Sequence, residues 1–220
     1  VDKNEVGIKY IQEHKYEEAA KIFNEVIEEN PSEPLGYINF GNLLLHLKEY
    51  SRAESFFLKA IELDKEALAA YYGLGNVYFD QSIFDKARES FQQAISLGLD
   101  DADVYFMLGI TLQNQDQSKL ALPFLLRAVE LNPYDEEMLF QYGLTLAQCN
   151  HLIDAKEIFE KVLSLHEEHS DAHYNLGVIN LFNENIEDAE KHFDEALRIQ
   201  PEHVLAANGK KTIETFKNRE

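Results

Sequence analysis

Apolar residues recur at spacings of three and four along almost the whole chain, as in Phe40, Leu44 and Leu47 and then Phe56, Phe57, Ala60 and Ile61. That spacing lays one apolar stripe along a helix and leaves the opposite face polar. The pattern predicts helices in pairs, each pair joined by a short turn, and it predicts no strand. The pairs also repeat. Glycines stand at Gly7, Gly41, Gly75, Gly109, Gly143 and Gly177, and alanines at Ala19, Ala53, Ala87, Ala121, Ala155 and Ala189, each 34 residues apart. Self-similarity at such a period predicts stacked helical units, each burying its apolar face on its neighbours.

With the glycine as the eighth position, the copies run 1–33, 34–67, 68–101, 102–135, 136–169 and 170–203, and residues 204–220 follow as a capping helix. The chain reads as one continuous array. A glycine inside a helix costs about 1 kcal/mol against alanine. Its presence in every copy implies a close crossing by the second helix, with the alanine twelve residues later as the matching small surface. Phe23, Phe57, Phe91, Phe159 and Phe193, with Leu125 in the fourth copy, are expected to fill the space between units. Pro31, Pro133 and Pro201 end second helices, while Lys65, Leu99 and Glu167 occupy that slot in the other copies. Pro123 falls early in a second helix, where it removes one backbone hydrogen bond. In the last helix Leu205, Ile213 and Phe216 are expected on one apolar face, with Lys210, Lys211, Lys217 and Arg219 on a basic outer face.

At these residues the chain resembles a tetratricopeptide repeat protein, over about residues 2–203. The family's motif places an aromatic, Leu, Gly, Tyr, Ala, Phe, Ala and Pro where this chain has Tyr71, Leu74, Gly75, Tyr78, Ala87, Phe91, Ala94 and, in the proline slot, Leu99. Lys3, Leu139 and His173 replace the first aromatic, and Asn180 stands in the position of Tyr78. The scale is similar to that of the small stand-alone repeat proteins of Gram-positive bacteria. The resemblance implies an all-α, right-handed superhelical solenoid of six helix-turn-helix units plus a C-terminal capping helix.

It also implies where a ligand would sit. In such arrays the first helices line a groove, chiefly at the second, fifth, sixth, ninth, twelfth and thirteenth positions. Those positions here hold Asn39, Asn42, His46, Tyr72, Asn76, Asp80, Asp103, Phe106, Met107, Ile110, Asn114, Gln141, Leu144, Gln148 and Asn175. Phe140, Tyr174, Val178 and Phe182 share the later half, and Glu137 and Asp171 stand with Asp103 along one rim. An asparagine amide carries a donor and an acceptor, so it matches a peptide bond whatever the ligand's side chains. Members of the family that grip acidic chaperone C-termini carry Lys-Asn, Asn and Lys-Arg in three successive copies. This chain has Ile38 with Asn42, then Gly73, then Asp103 with Met107, so a carboxylate clamp is not expected.

Composition narrows the partners further. With 40 acidic and 20 basic residues the formal net charge is −20, which opposes nucleic acid and anionic membranes and favours a neutral-to-basic partner. No run approaches a membrane span. The N-terminal segment lacks the form of a signal peptide, and the single Cys149 fits a reducing compartment; the cytoplasm is expected.

Candidate chemistry is thin. His166, His169 and His173 lie close together, but Ser170 rather than glutamate follows His169, so the general base of a helical zinc site is missing. Gly73-Leu74-Gly75 lacks the strand and third glycine of a phosphate loop, and Cys149 near His151 reads as packing. No enzyme, metal or cofactor is expected. The expected function is an adaptor binding a peptide segment of another protein. The alternative is self-association, since Val1 to Asn4 offers only a weak cap over the first helix.

Overall fold

The computed structural model describes residues 2–217, apart from the side chain of Phe216; the expectations placed on Val1, on Arg219 and on the Phe216 side chain fall outside that description. The described residues form thirteen α-helices and no strand. They divide into two compact units, residues 1–116 and 117–220, the division falling between the two helices of the fourth copy.

The first unit holds α1 (Lys3–Gln12), α2 (Tyr16–Glu29), α3 (Pro34–His46), α4 (Tyr50–Leu63), α5 (Leu68–Asp80), α6 (Phe84–Ser96) and α7 (Ala102–Asn114). Each helix packs on the next, and α1, α3, α5 and α7 also touch in succession. The second unit holds α8 (Ser118–Leu131), α9 (Glu136–Gln148), α10 (Leu152–Leu165), α11 (Ser170–Phe182), α12 (Ile186–Ile199) and α13 (Val204–Lys217), again packed in sequence, with α11 also against α13.

Local chemistry explains where these helices begin and end. Asp2, Asp101 and Asp135 accept from backbone N–H groups of α1, α7 and α9, and the ring of His169 does so for α11, satisfying donors a helix start leaves unpaired. Asp2 thus satisfies a donor at the start of α1. The second helices have no side-chain cap. Each is entered instead through one left-handed residue at the fifteenth position: His14, Lys48, Ser82, Asp116, Asn150 and Glu184, with φ between 58° and 64°. The N–H three residues past α3 bonds five residues back (Glu49 N to Leu44 O, 2.8 Å), and the same bond recurs from Ile83 to Tyr78, His151 to Leu146 and Asn185 to Asn180. This closure reverses the chain in three residues. Pro31, Pro133 and Pro201 stand two residues beyond α2, α8 and α12, and α8 runs on through Pro123.

The core repeats with the chain. Ala19, Ala53, Ala87, Ala121, Ala155 and Ala189 are fully buried, as are Phe23, Phe57, Phe91, Leu125, Phe159 and Phe193. The atoms nearest the repeat glycine belong to the phenylalanine. A Cβ at Gly41 would stand 2.8 Å from the Phe57 ring, and one at Gly73, on the next first helix, would stand closer still. Phe57 is therefore wedged between two glycines of successive copies. Phe193 is wedged in the same way between Gly177 and Gly209, where added Cβ atoms would lie 2.6 Å away.

The last helix departs from the expected pattern. Ala206 and Ile213 are its buried residues, whereas Leu205 is 56% exposed. Ala206 and Ile213 are seven apart and so share the stripe facing α12, and Leu205 lies off that stripe. Lys210 and Lys217 do not form a free basic face either: they pair with Asp194 and Glu190 of α12. No helix among the described residues is long and apolar enough to cross a membrane.

Candidate functional site

From α3 to α11 the first helices bury their third and tenth positions. Gly36 and Leu43, Ala70 and Val77, Val104 and Thr111, Met138 and Thr145, and Ala172 and Ile179 are all buried there. The residues named as groove candidates lie about a quarter-turn away, so the same helical period that buries one set presents the other.

In the first unit this face is drawn from α3, α5 and α7. Asn42 on α3 is exposed, and Asn76 holds the same ninth position on α5 beside the half-buried Tyr72. The Tyr72 ring lies 5.8 Å from that of Phe91. Burial pushes the Tyr72 hydroxyl above its ordinary pKa, and a hydrogen bond with Asn76 pulls it partly back. Asn39 is committed elsewhere: it is 8% exposed and its amide donates to Asn4 Oδ1 at 2.8 Å. His46 is exposed and meets the Tyr16 hydroxyl at 2.9 Å, which also meets His14 at 2.9 Å. Asp80 and Asp103 are exposed, and Phe106, Met107 and Ile110 are half-buried. Asn114 donates to the Ile110 carbonyl at 2.9 Å, which leaves its own carbonyl oxygen outward.

In the second unit the corresponding face belongs to α9 and α11. Gln141 donates to Glu137 at 2.8 Å, and Asn175 donates to the Asp171 carbonyl at 2.8 Å. Gln148 accepts from the Ser118 hydroxyl at 2.8 Å, and Leu144 is half-buried. Asp171 accepts from His203 Nε2 at 3.0 Å while His203 Nδ1 accepts from the Ala206 N–H, so this rim carboxylate orients the ring that caps α13.

Apolar side chains complete both faces. Ile8 and Leu35 are 43% and 49% exposed in the first unit, and Val178 and Phe182 are 40% and 69% exposed in the second. Phe182 borders a cleft of about 330 Å³ with Asn150, His151, Leu152, Ile153 and Asp154. Ile8, Leu35 and Leu205 were not among the sequence candidates. The signal was available, since they occupy the ninth and second positions of the same stripe.

His166 and His169 both approach Glu136, whereas His173 lies apart from them. His166 meets Glu136 at 2.9 Å, His169 caps α11, and His173 turns inward to His192. Cys149 is the half-buried residue that closes α9.

Paired helices of 10–14 residues, joined by left-handed turns and wedged by phenylalanine on glycine, define a class of repeat protein, and the family comparisons agree. Tetratricopeptide repeat models match residues 10–74, 68–98, 102–135, 136–169 and 170–203. The chain belongs to the tetratricopeptide repeat family. It is similar to YrrB, a tetratricopeptide repeat protein whose crystal structure is described as having an unusual peptide-binding site, at 44% identity over 87% of this chain and 99% of that one, with a TM-score of 0.84. It shares the fold of Pseudomonas aeruginosa PilF at 14% identity (96% of each chain, TM-score 0.81) and of MamA at 23% identity (73% and 94%, TM-score 0.69). No curated protein matches the chain. Proteins of this family are in general non-catalytic modules for binding other proteins, and the solenoid of helix pairs with a terminal helix fits that class.

Proposed function

We propose that this chain is a non-catalytic adaptor that binds a neutral-to-basic peptide segment of a partner protein along the exposed face of its first helices. The observation that carries this reading is the pair of asparagines at the ninth position of α3 and α5, of which Asn42 is exposed. Amides on neighbouring helices suit a peptide backbone, because each offers a donor and an acceptor. Exposed apolar side chains on the same stripe supply anchors, as Leu35 does in the first unit and Phe182 in the second. The net charge of −20 supplies the preference for basic segments. The peptide-binding site described for YrrB, at 44% identity, supports the same reading.

Self-association by end-to-end stacking fits the residues less well. At the third and tenth positions α1 carries Asp2 and Lys9, both exposed, where the other first helices bury Gly, Ala, Val, Met, Leu, Ile or Thr. A second copy stacked there would take both charges out of water, at several kcal/mol each.

Affinity capture from the native host's lysate tests the adaptor reading, with wild type beside an Asn42→Ala, Asn76→Ala double variant of unchanged melting temperature. A partner held by wild type and lost by the variant is expected. The same partner surviving the change would remove the amides from the site, and recovery of this chain alone would put self-association first.

A further inference from the structure

Each second helix exposes one face, and that of α8 is unlike the rest. At the nineteenth, twenty-second and twenty-fifth positions the other second helices carry charged or polar residues, as Glu18, Lys21 and Asn24 do in α2, with Leu58 the single exception. On α8 those positions hold Leu120, Pro123 and Leu126. Leu120 is 59% and Leu126 41% exposed, and Pro123 is exposed with them. Ala121, Leu125, Ala128 and Val129 are the buried residues of the same helix, so α8 is apolar on both sides. Grouped exposed apolar side chains, unlike single scattered ones, mark an interaction site.

The charges on this face identify its occupant. With Lys119 and Arg127 against Glu130, α8 is the one second helix with more basic than acidic residues. It is therefore where two chains of net charge −20 meet with least repulsion. Lys119, Pro123, Leu126 and Glu130 are spaced four, three and four apart, which sets them in one line along the helix. That line is self-complementary. A second α8 laid antiparallel across it, with a two-fold axis midway between Pro123 and Leu126, brings Pro123 against the second copy's Leu126. Lys119 lies four residues before Pro123 and Glu130 four after Leu126, about 6 Å in each case at 1.5 Å per residue. Lys119 then meets the second copy's Glu130, and symmetry makes each pair twice. Glu130 already accepts from Arg127 of its own helix at 3.3 Å, and a carboxylate has room for both donors.

We propose that the exposed face of α8 is a homodimer contact, formed by antiparallel packing on the α8 of a second copy around Pro123 and Leu126, with Leu120 flanking them. The charged pairs stand at the two ends of the contact and set its register, while the apolar centre supplies the attraction. One helix laid on one helix is a small interface, so the association is weak and depends on concentration. The contact belongs to the second unit and uses none of the first-helix residues on which the peptide-binding reading rests. It also differs from end-to-end stacking, since neither α1 nor α13 takes part.

Sedimentation equilibrium between about 1 μM and about 1 mM, the span over which weak association is read, tests this. Wild type is expected to pass from monomer to dimer and to stop there, since a two-fold contact closes on itself. Leu126→Glu, a change at an exposed position, should leave a monomer. Lys119→Glu and Glu130→Lys should each weaken the dimer about tenfold, because each turns two attractions into repulsions, and the double variant carrying both should recover it. The Asn42→Ala, Asn76→Ala variant should dimerise as wild type does, so this contact and the peptide face can fail separately. A wild type that stays monomeric or assembles beyond a dimer overturns the contact. So does a Leu126→Glu variant that dimerises as well as wild type, a charge-swapped double variant that does not recover, or a dimer lost with the two asparagines.

Discussion

A phenylalanine wedged between two glycines has nowhere to move. Phe57 is fully buried, with Gly41 of its own copy on one side and Gly73 of the next on the other. An alanine at Gly73 gains helix propensity of about 1 kcal/mol yet drives its methyl into the ring. The clash is expected to win, because overpacking a closed site costs about 1–3 kcal/mol and the ring has glycine behind it as well. Gly73→Ala should therefore lower the denaturation midpoint, whereas Gly98→Ala is limited to the strain of a left-handed turn residue, since a Cβ there meets nothing within 4 Å. The glycine register was visible in the sequence, but its partner was not. Spacing along the chain shows that a side chain is excluded without showing that the phenylalanine sixteen residues on lies nearest. Gly209 was overlooked because it sits at the sixth position, as Gly73 does, rather than the eighth.

Among the elements, the turns between paired helices carry the strain. Six residues other than glycine hold positive φ, and side chains as different as Lys48, Ser82 and Glu184 share that position. A left-handed conformation costs an ordinary L-residue about 1–2 kcal/mol, which glycine avoids at some cost in unfolded-chain entropy. Lys48→Gly and Glu184→Gly are each expected to stabilise the protein by about 0.5–1 kcal/mol, measured by chemical denaturation. A loss of stability in both would show that the turns are relaxed by contacts their side chains make. Helix pairing, the proline stops and the aromatic slots were legible because periodicity reports them directly. The left-handed position was not, since no residue type repeats there. The His173–His192 contact was hidden for another reason: attention to histidines close in sequence drew His173 toward His166 and His169. Its true partner lies 19 residues away, at the slot where Phe56 faces Tyr37.

For the whole molecule, charge governs association more than fold. With 40 acidic against 20 basic residues, the proposed basic peptide would be drawn in from a distance, an attraction screened over about 8 Å at physiological ionic strength. Stopped-flow mixing with a fragment of the captured partner should show the association rate falling steeply between about 0.05 and 0.5 M salt, with the dissociation rate nearly constant. A dissociation rate that carries the salt dependence would mean that buried ion pairs, and not steering, hold the peptide. The candidate face was readable in the sequence through the family resemblance, and the helical period makes its positions one stripe. Which of its members remain available was not: Asn39 is spent on Asn4, and Gln148 accepts from Ser118.

The copies share one period but not one joint. Phe57 and Phe193 meet glycine in the following copy, while the equivalent sixth position holds Asn39, Met107, Gln141 or Asn175 elsewhere. A copy transplanted to a new place in the chain brings its own glycine with it but inherits a stranger's side chain on its other flank. Modules of identical length are thus not interchangeable parts, and shuffling them would require recutting each seam.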